Sequence, residues 1–105
     1  MISFEDFQKL NLKVARIVEA SRVEDSNKLM KLEINLGEEK RQLVAGIAKA
    51  YNADELEGRE IIVVANLEPK EIFGLQSQGM LLAADSDQPV LLQPDQEVEP
   101  GTKIT

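Results

Sequence analysis

"LMKLEINLGEEKRQLVAGIA", Leu29 to Ala48, is the stretch on which the fold turns. Met30, Leu32, Ile34 and Leu36 alternate with Lys31, Glu33 and Asn35. A period of two places the four apolar side chains on one face of a strand and the polar ones on the other. Gly37 with "EEK" supplies a turn, and "RQLVAGIA" returns as the hairpin partner. Gly46 inside that partner predicts a bulge or a sharp bend. A sheet with one dry face must have that face covered, so the rest of the chain has to supply the cover.

Working outward, "LNLKVARIVEAS" before this hairpin is a strand with moderate alternation, and "EIIVVANL" after it is a nearly continuous β-branched run that reads as a strand buried on both faces. Between them "NADELEG" offers Asn52 or Asp54 as an N-cap and Gly58 as a stop, enough for a short helix. "ISFEDFQKL" opens the chain with Ser3 three residues ahead of Asp6, a capping-box-like start for a short helix with Phe4, Phe7 and Leu10 on one face. After Pro69 come a loop, the strand "MLLAA", and short edge pieces "PVLLQPD" and "TKI". Five principal strands cannot build two well-covered sheets, and closing them into a small barrel buries one face and leaves few edges. The expected class is all-β: an OB-fold five-stranded barrel with short helices at the N-terminus and between strands 3 and 4, and a C-terminal extension. An SH3-like or other small barrel shares the periodicity.

At 105 residues and 11.7 kDa the chain has the size of one domain, residues 1–105, with one modest core. Hydrophobic residues make up 43%, yet no apolar run approaches the roughly 18 residues of a membrane span. With no signal-peptide pattern either, a soluble cytoplasmic protein without membrane contact is expected. Cys and His are both absent. Disulfides, thiolate metal sites, the usual zinc ligand and the usual general base are therefore excluded, and no catalytic residue, metal ligand or cofactor is assigned. "DSDQ" at Asp85–Gln88 lacks the Gly and distal Glu of a calcium loop and reads as a hairpin turn.

The net charge of −7 is unevenly spread. Residues 1–50 carry nine basic and eight acidic side chains, residues 51–105 three and eleven. Because phosphate binding is driven by Lys and Arg releasing counterions, an anion-binding face must draw on the first half, with Lys70 as a late addition.

"NLEPKEIFGLQSQGMLLAA", Asn66 to Ala84, together with "FEDFQKLNLKVARIVEA", "NKLMKLEINLGEEKRQLVAGIA" and the closing "LLQPDQEVEPGTKI", resembles the tRNA-binding domain found at the C-terminus, or as a separate subunit, of bacterial and archaeal methionyl-tRNA synthetases and in free-standing tRNA-binding proteins. The resemblance is collinear over nearly the whole chain, and "NL-P" followed by "G-x-x-S-x-GM" is its most specific part. It implies an OB-fold that works as a homodimer, performs no catalysis, and binds tRNA by shape and backbone, raising the tRNA affinity of a synthetase catalytic domain or subunit. It places tRNA-side roles on Lys28, Lys31, Arg41, Asn66, Lys70, Ser77, Gly79 and Met80. Basic side chains are common in the family around the "NL-P" turn, whereas Glu68 and Glu71 flank Lys70 here and leave residues 68–71 at a net −1.

Each of these residues also has a structural role open to it. Met80 begins an apolar strand and can fill the core; Ser77 can bond its own turn, and Asn66 can satisfy orphan backbone groups at a strand end. Lys28 and Lys31 can be solvated strand flanks. Pro69, Gly74 and Gly79 set loop geometry. Only Tyr51 and Phe73 stand free for base stacking, which favours a folded RNA's backbone over unpaired bases. A dimer seam is expected from Phe4, Phe7 and Leu10 with Val90, Leu91, Leu92 and Val98. Two alternatives remain: a peptide-binding, chaperone-like module, since a chaperone-like secretion factor is similar in "LLQPDQ...GTKI", and a docking domain that recruits a protein through its apolar seam.

Overall fold

The computed structural model describes residues 1–105. Its elements run α1 (Phe4–Phe7), β1 (Leu12–Arg22), β2 (Met30–Asn35), β3 (Lys40–Ala45), α2 (Ala53–Leu56), β4 (Glu60–Val64), β5 (Lys70–Ile72), β6 (Leu75–Ser77), β7 (Met80–Leu81), β8 (Ala83–Asp85) and β9 (Pro89–Leu91). Five strands form one curled antiparallel sheet in the order β3-β2-β1-β4-β7, with β5–β6 and β8–β9 as separate hairpins. This is the OB-like all-β architecture the alternation predicts, with α2 between the third and fourth strands.

The opening stretch behaves as its periodicity requires. Leu32 pairs with Leu43 and Glu33 with Gln42 across the β2–β3 ladder, so Met30, Leu32, Ile34 and Leu43 are buried while Lys31 is exposed. The bend expected at Gly46 is present, although it falls just past the end of β3 at Ala45 rather than inside the strand. A register slip lies in β1, between Ile17 and Glu19, leaving Val18 41% exposed. An extra residue of this kind increases strand twist, and here it lets an 11-residue strand pair β4 with its first half and β2 with its second.

β4 reads as continuously apolar because Ile61 to Val64 are all buried. Ile61 and Val63 join the main core cluster, while Ile62 and Val64 pair opposite Val14 and Leu12. On the far edge of that half of β1 the C-terminal extension acts as a further strand: Val14 N–H donates to the Thr102 carbonyl at 2.9 Å and Ile104 N–H to the Leu12 carbonyl at 2.9 Å. Leu56 of α2 enters the same core, fully buried. Each such Leu or Ile side chain contributes roughly 1.5–3 kcal/mol by leaving water. "MLLAA" is not one strand: Met80–Leu81 pairs β4, and Ala83–Asp85 turns away to pair β9.

Side-chain hydrogen bonds and one backbone bond stitch the last seam of the barrel, between β3 and the β6–β7 segment. Val44 N–H donates to the buried Ser77 hydroxyl at 3.0 Å, which donates to the Gly79 carbonyl at 3.2 Å. Gln78 N–H reaches the Gln42 carbonyl at 2.8 Å, and the Gln42 amide reaches the Gln76 carbonyl at 2.9 Å. A second small core of Val23, Leu29 and Val44, with Ile72 and Leu75 packed on it, seats the β5–β6 hairpin against the β1–β2 loop.

Candidate nucleic-acid interface

The outward face of β1–β3 forms one side of an open groove of about 370 Å³, lined by Glu19, Ser21, Lys31, Glu33, Gln42, Lys40, Arg41 and Gln78. Ser21 and Lys31 also line a second cleft with Arg22, Asp25, Phe73 and Leu75. Asp25 and Phe73 continue into a third with Ser26, Asn27 and Lys28. The three are therefore one band, running from Arg41 to Lys28 with Lys31 near its centre. Lys28 and Lys31 were singled out from the sequence; Arg22, Lys40, Gln42 and Gln78 were not. The alternation that puts Lys31 outward would equally have found Gln42, whereas Gln78 depends on the loop closing the barrel.

Charge along the band is mixed. Arg22, Lys28 and Lys31 make no ion pair, so their charges are open to an anion. Lys40 lies 3.8 Å from Glu33, and Arg41 lies 2.6 Å from Glu39. Glu19 and Glu33 face each other across the β1–β2 ladder, a like-charge pair that disfavours phosphate at that end. The groove is thus most receptive to an anion between Lys31 and Lys28.

The other predicted tRNA-side residues separate from this band or turn inward. Arg41 is half-buried and donates to the Ala65 and Gln78 carbonyls, so it braces the barrel seam as well as facing the groove. Asn66 accepts from Asn11 N–H at 2.8 Å and donates to the Lys9 carbonyl at 2.7 Å, with both ends of its amide engaged. Ser77 is 4% exposed and its hydroxyl is spent on Val44 and Gly79, because barrel closure needs a partner for the Val44 N–H. Gly79 is buried against Val64. Met80, 49% exposed, lines a separate apolar cleft of about 360 Å³ with Leu67, Ile72 and Lys70. Tyr51 is not free for stacking: its hydroxyl accepts from Leu91 N–H at 3.1 Å and Arg59 covers its ring at 5.1 Å. No group of three or more Asp and Glu side chains is arranged to hold a metal ion.

Of the expected seam, Phe4, Leu10, Val90 and Leu92 are exposed, and Phe7 and Val98 are half-buried. Leu91 is different: it belongs to the main core, because β9 folds back on β8 and turns it inward. Phe4, Phe7 and Leu10 instead share a cleft with Ile104. No helix is long and apolar enough to cross a membrane.

The family model described as "Putative tRNA binding domain" matches residues 12–103. The chain is 51% identical over 104 residues to a methionine--tRNA ligase of Archaeoglobus fulgidus, covering 98% of this chain and 16% of that protein's length. A solved structure of a MetRS-related protein from Pyrococcus horikoshii superimposes with a TM-score of 0.94 at 34% identity, covering 100% of this chain and 98% of that one. The chaperone CsaA of Bacillus anthracis superimposes at 0.91 with 35% identity, covering 100% and 99%.

Proposed function

The chain belongs to the tRNA-binding domain family, and from that premise we propose that it binds tRNA through the band between Arg41 and Lys28, performing no chemistry itself and raising the tRNA affinity of a methionine--tRNA ligase of which it is a module or a subunit. The observation that carries this is the placement of Lys31, exposed and unpaired on the strand 2–3 face that OB-folds use for nucleic acid, with Lys28, also exposed and unpaired, in the adjoining loop at the end of the same band. Lys and Arg there neutralise phosphates, while Gln42 and Gln78 offer amides to sugar and phosphate oxygens, contacts that position RNA without reading sequence. Lys70 lies outside the band, in the apolar cleft with Met80 and Leu67. Ser77, Gly79 and Asn66 serve by holding the face in shape. The setting is cytoplasmic.

A second reading has a specific support: the apolar cleft around Met80 and Leu67, together with the likeness to CsaA, suits an unfolded peptide. Measuring binding of total tRNA and of an unfolded client protein to the same preparation separates the two. We expect tRNA to bind and to resist competition by the client; displacement of tRNA by the client would place both on one face and contradict the assignment.

The chain works as a homodimer in this reading. Phe4 at 72%, Val90 at 50%, and Leu10 and Leu92 each at 43% exposure are too much apolar surface to leave in water on a domain of this size. Sedimentation at micromolar concentration should give twice the 11.7 kDa chain mass, and Phe4→Ser with Leu10→Ser should shift it to monomer without unfolding. A wild-type chain that sediments only as monomer would refute this.

A further inference from the structure

Phe73 sits where a turn residue is expected and an aromatic ring is not. Ile72 pairs with Leu75, so Phe73 and Gly74 alone make the β5–β6 loop, with φ of 55° and 80°. Two positive φ values are what a type I′ turn demands, and Asn-Gly is the usual pair that meets them. A bulky side chain in the left-handed region is an outlier of the kind that collects at functional sites. Phe73 is also 59% exposed, so it adds little to the core; Ile72 and Leu75 already anchor the hairpin. The only other non-glycine residue with positive φ, Asp25 at 65°, lines the same two clefts as Phe73.

From this we infer that Phe73 is a stacking platform for one unpaired nucleobase of the bound RNA, and the inference rests on the tRNA reading above. The ring lines one cleft with Lys28 and a second with Arg22 and Lys31, so cations for the phosphates before and after a splayed nucleotide line both clefts that it borders. Glu24 and Asp25 on the same rim would repel a phosphate but accept hydrogen bonds from an exocyclic amine at a base edge. With Tyr51 committed to Leu91 and Arg59, no other aromatic ring on this band is available. The role also accounts for the local strain, which an asparagine would relieve at the loss of the ring.

The chain has no tryptophan, so Phe73→Trp installs a single fluorescent reporter in the platform. Titration with total tRNA should quench it, and a blunt RNA duplex with no unpaired nucleotide should not. Phe73→Ala and Phe73→Asn should bind tRNA roughly 5- to 150-fold more weakly, the span of one base–aromatic stack. Phe73→Asn should unfold at the same temperature as the wild type or higher, which separates loss of the ring from loss of the fold. The slope of log affinity against log salt should stay unchanged, because a stack neutralises no phosphate. Wild-type binding with Phe73→Ala and Phe73→Asn equally tight would overturn the stacking role and leave tRNA binding standing. So would equal weakening toward the duplex, or a slope lower by a whole unit. No tRNA binding by the wild type at any salt concentration would overturn both.

Discussion

Gly79→Ala is expected to lower the stability of the domain by at least about 3 kcal/mol, enough to reduce its melting temperature by on the order of 10–20 °C. A Cβ at this position would stand 2.9 Å from the Val64 carbonyl oxygen, a backbone atom that cannot swing aside, and the φ of +124° is one that L side chains rarely adopt. Both costs fall on the junction where β7 leaves the barrel seam for β4. Total stabilities of small domains run at about 5–15 kcal/mol, so this single methyl removes a large share. Ser77→Ala, next to it, should cost about 1–3 kcal/mol by leaving the Val44 N–H buried without a partner. Gly46→Ala is the control. Nothing lies within 4 Å of its Cβ position and its φ is ordinary, so stability should hold or rise slightly. Thermal unfolding of the three variants checks all of this; a Gly79→Ala protein as stable as wild type would mean the seam is not closed as described.

Raising salt from about 50 to about 200 mM is expected to weaken tRNA binding roughly 100- to 500-fold, on a slope of about −3.5 to −4.5 for five neutralised phosphates. The five cations are Arg22, Lys28, Lys31, Lys40 and Arg41, which line the band. The same electrostatics predict gains. Glu19→Lys breaks the repulsion opposite Glu33 and adds a cation to the groove, so it should tighten binding and steepen the slope by about one. Glu68→Lys with Glu71→Lys should tighten binding less, since those residues stand beside Lys70 rather than in the band. Affinity that is flat in salt would mean the complex is not held by phosphates.

The parts of the fold legible in the sequence are those where burial imposes a period. Met30 to Leu36 alternate because one face is dry, and Ile61 to Val64 run apolar because both faces are, so β2 and β4 declare themselves. The caps were also legible: Ser3 accepts from Asp6 N–H at 3.1 Å, and Asn52 N–H donates to Glu55 at 2.6 Å. The β5–β6 hairpin was not. Its strands are three residues each, too short to display a period, and Phe73-Gly74 is not the usual turn pair. The site followed the same division. Lys31 lies on β2, whose alternation gives its outward direction, and Lys28 lies two residues before that strand. Ser77 depends on a contact 33 residues away in sequence, with Val44, and no local pattern reports that its hydroxyl faces inward. Leu91 misled for a similar reason, since only the return of β9 onto β8 turns it into the core.

If the band centred on Lys31 is the tRNA face, tRNA affinity over a series of salt concentrations should distinguish Lys31→Ala from both wild type and Lys9→Ala. Lys31 lies on the outward face of β2, whereas Lys9 follows α1 and pairs with Asp6 at 3.0 Å away from the band. Lys31→Ala should bind more weakly with a slope reduced by about one, alike for different tRNAs, and Lys9→Ala should be indistinguishable from wild type. Unchanged affinity and slope in Lys31→Ala would contradict this assignment.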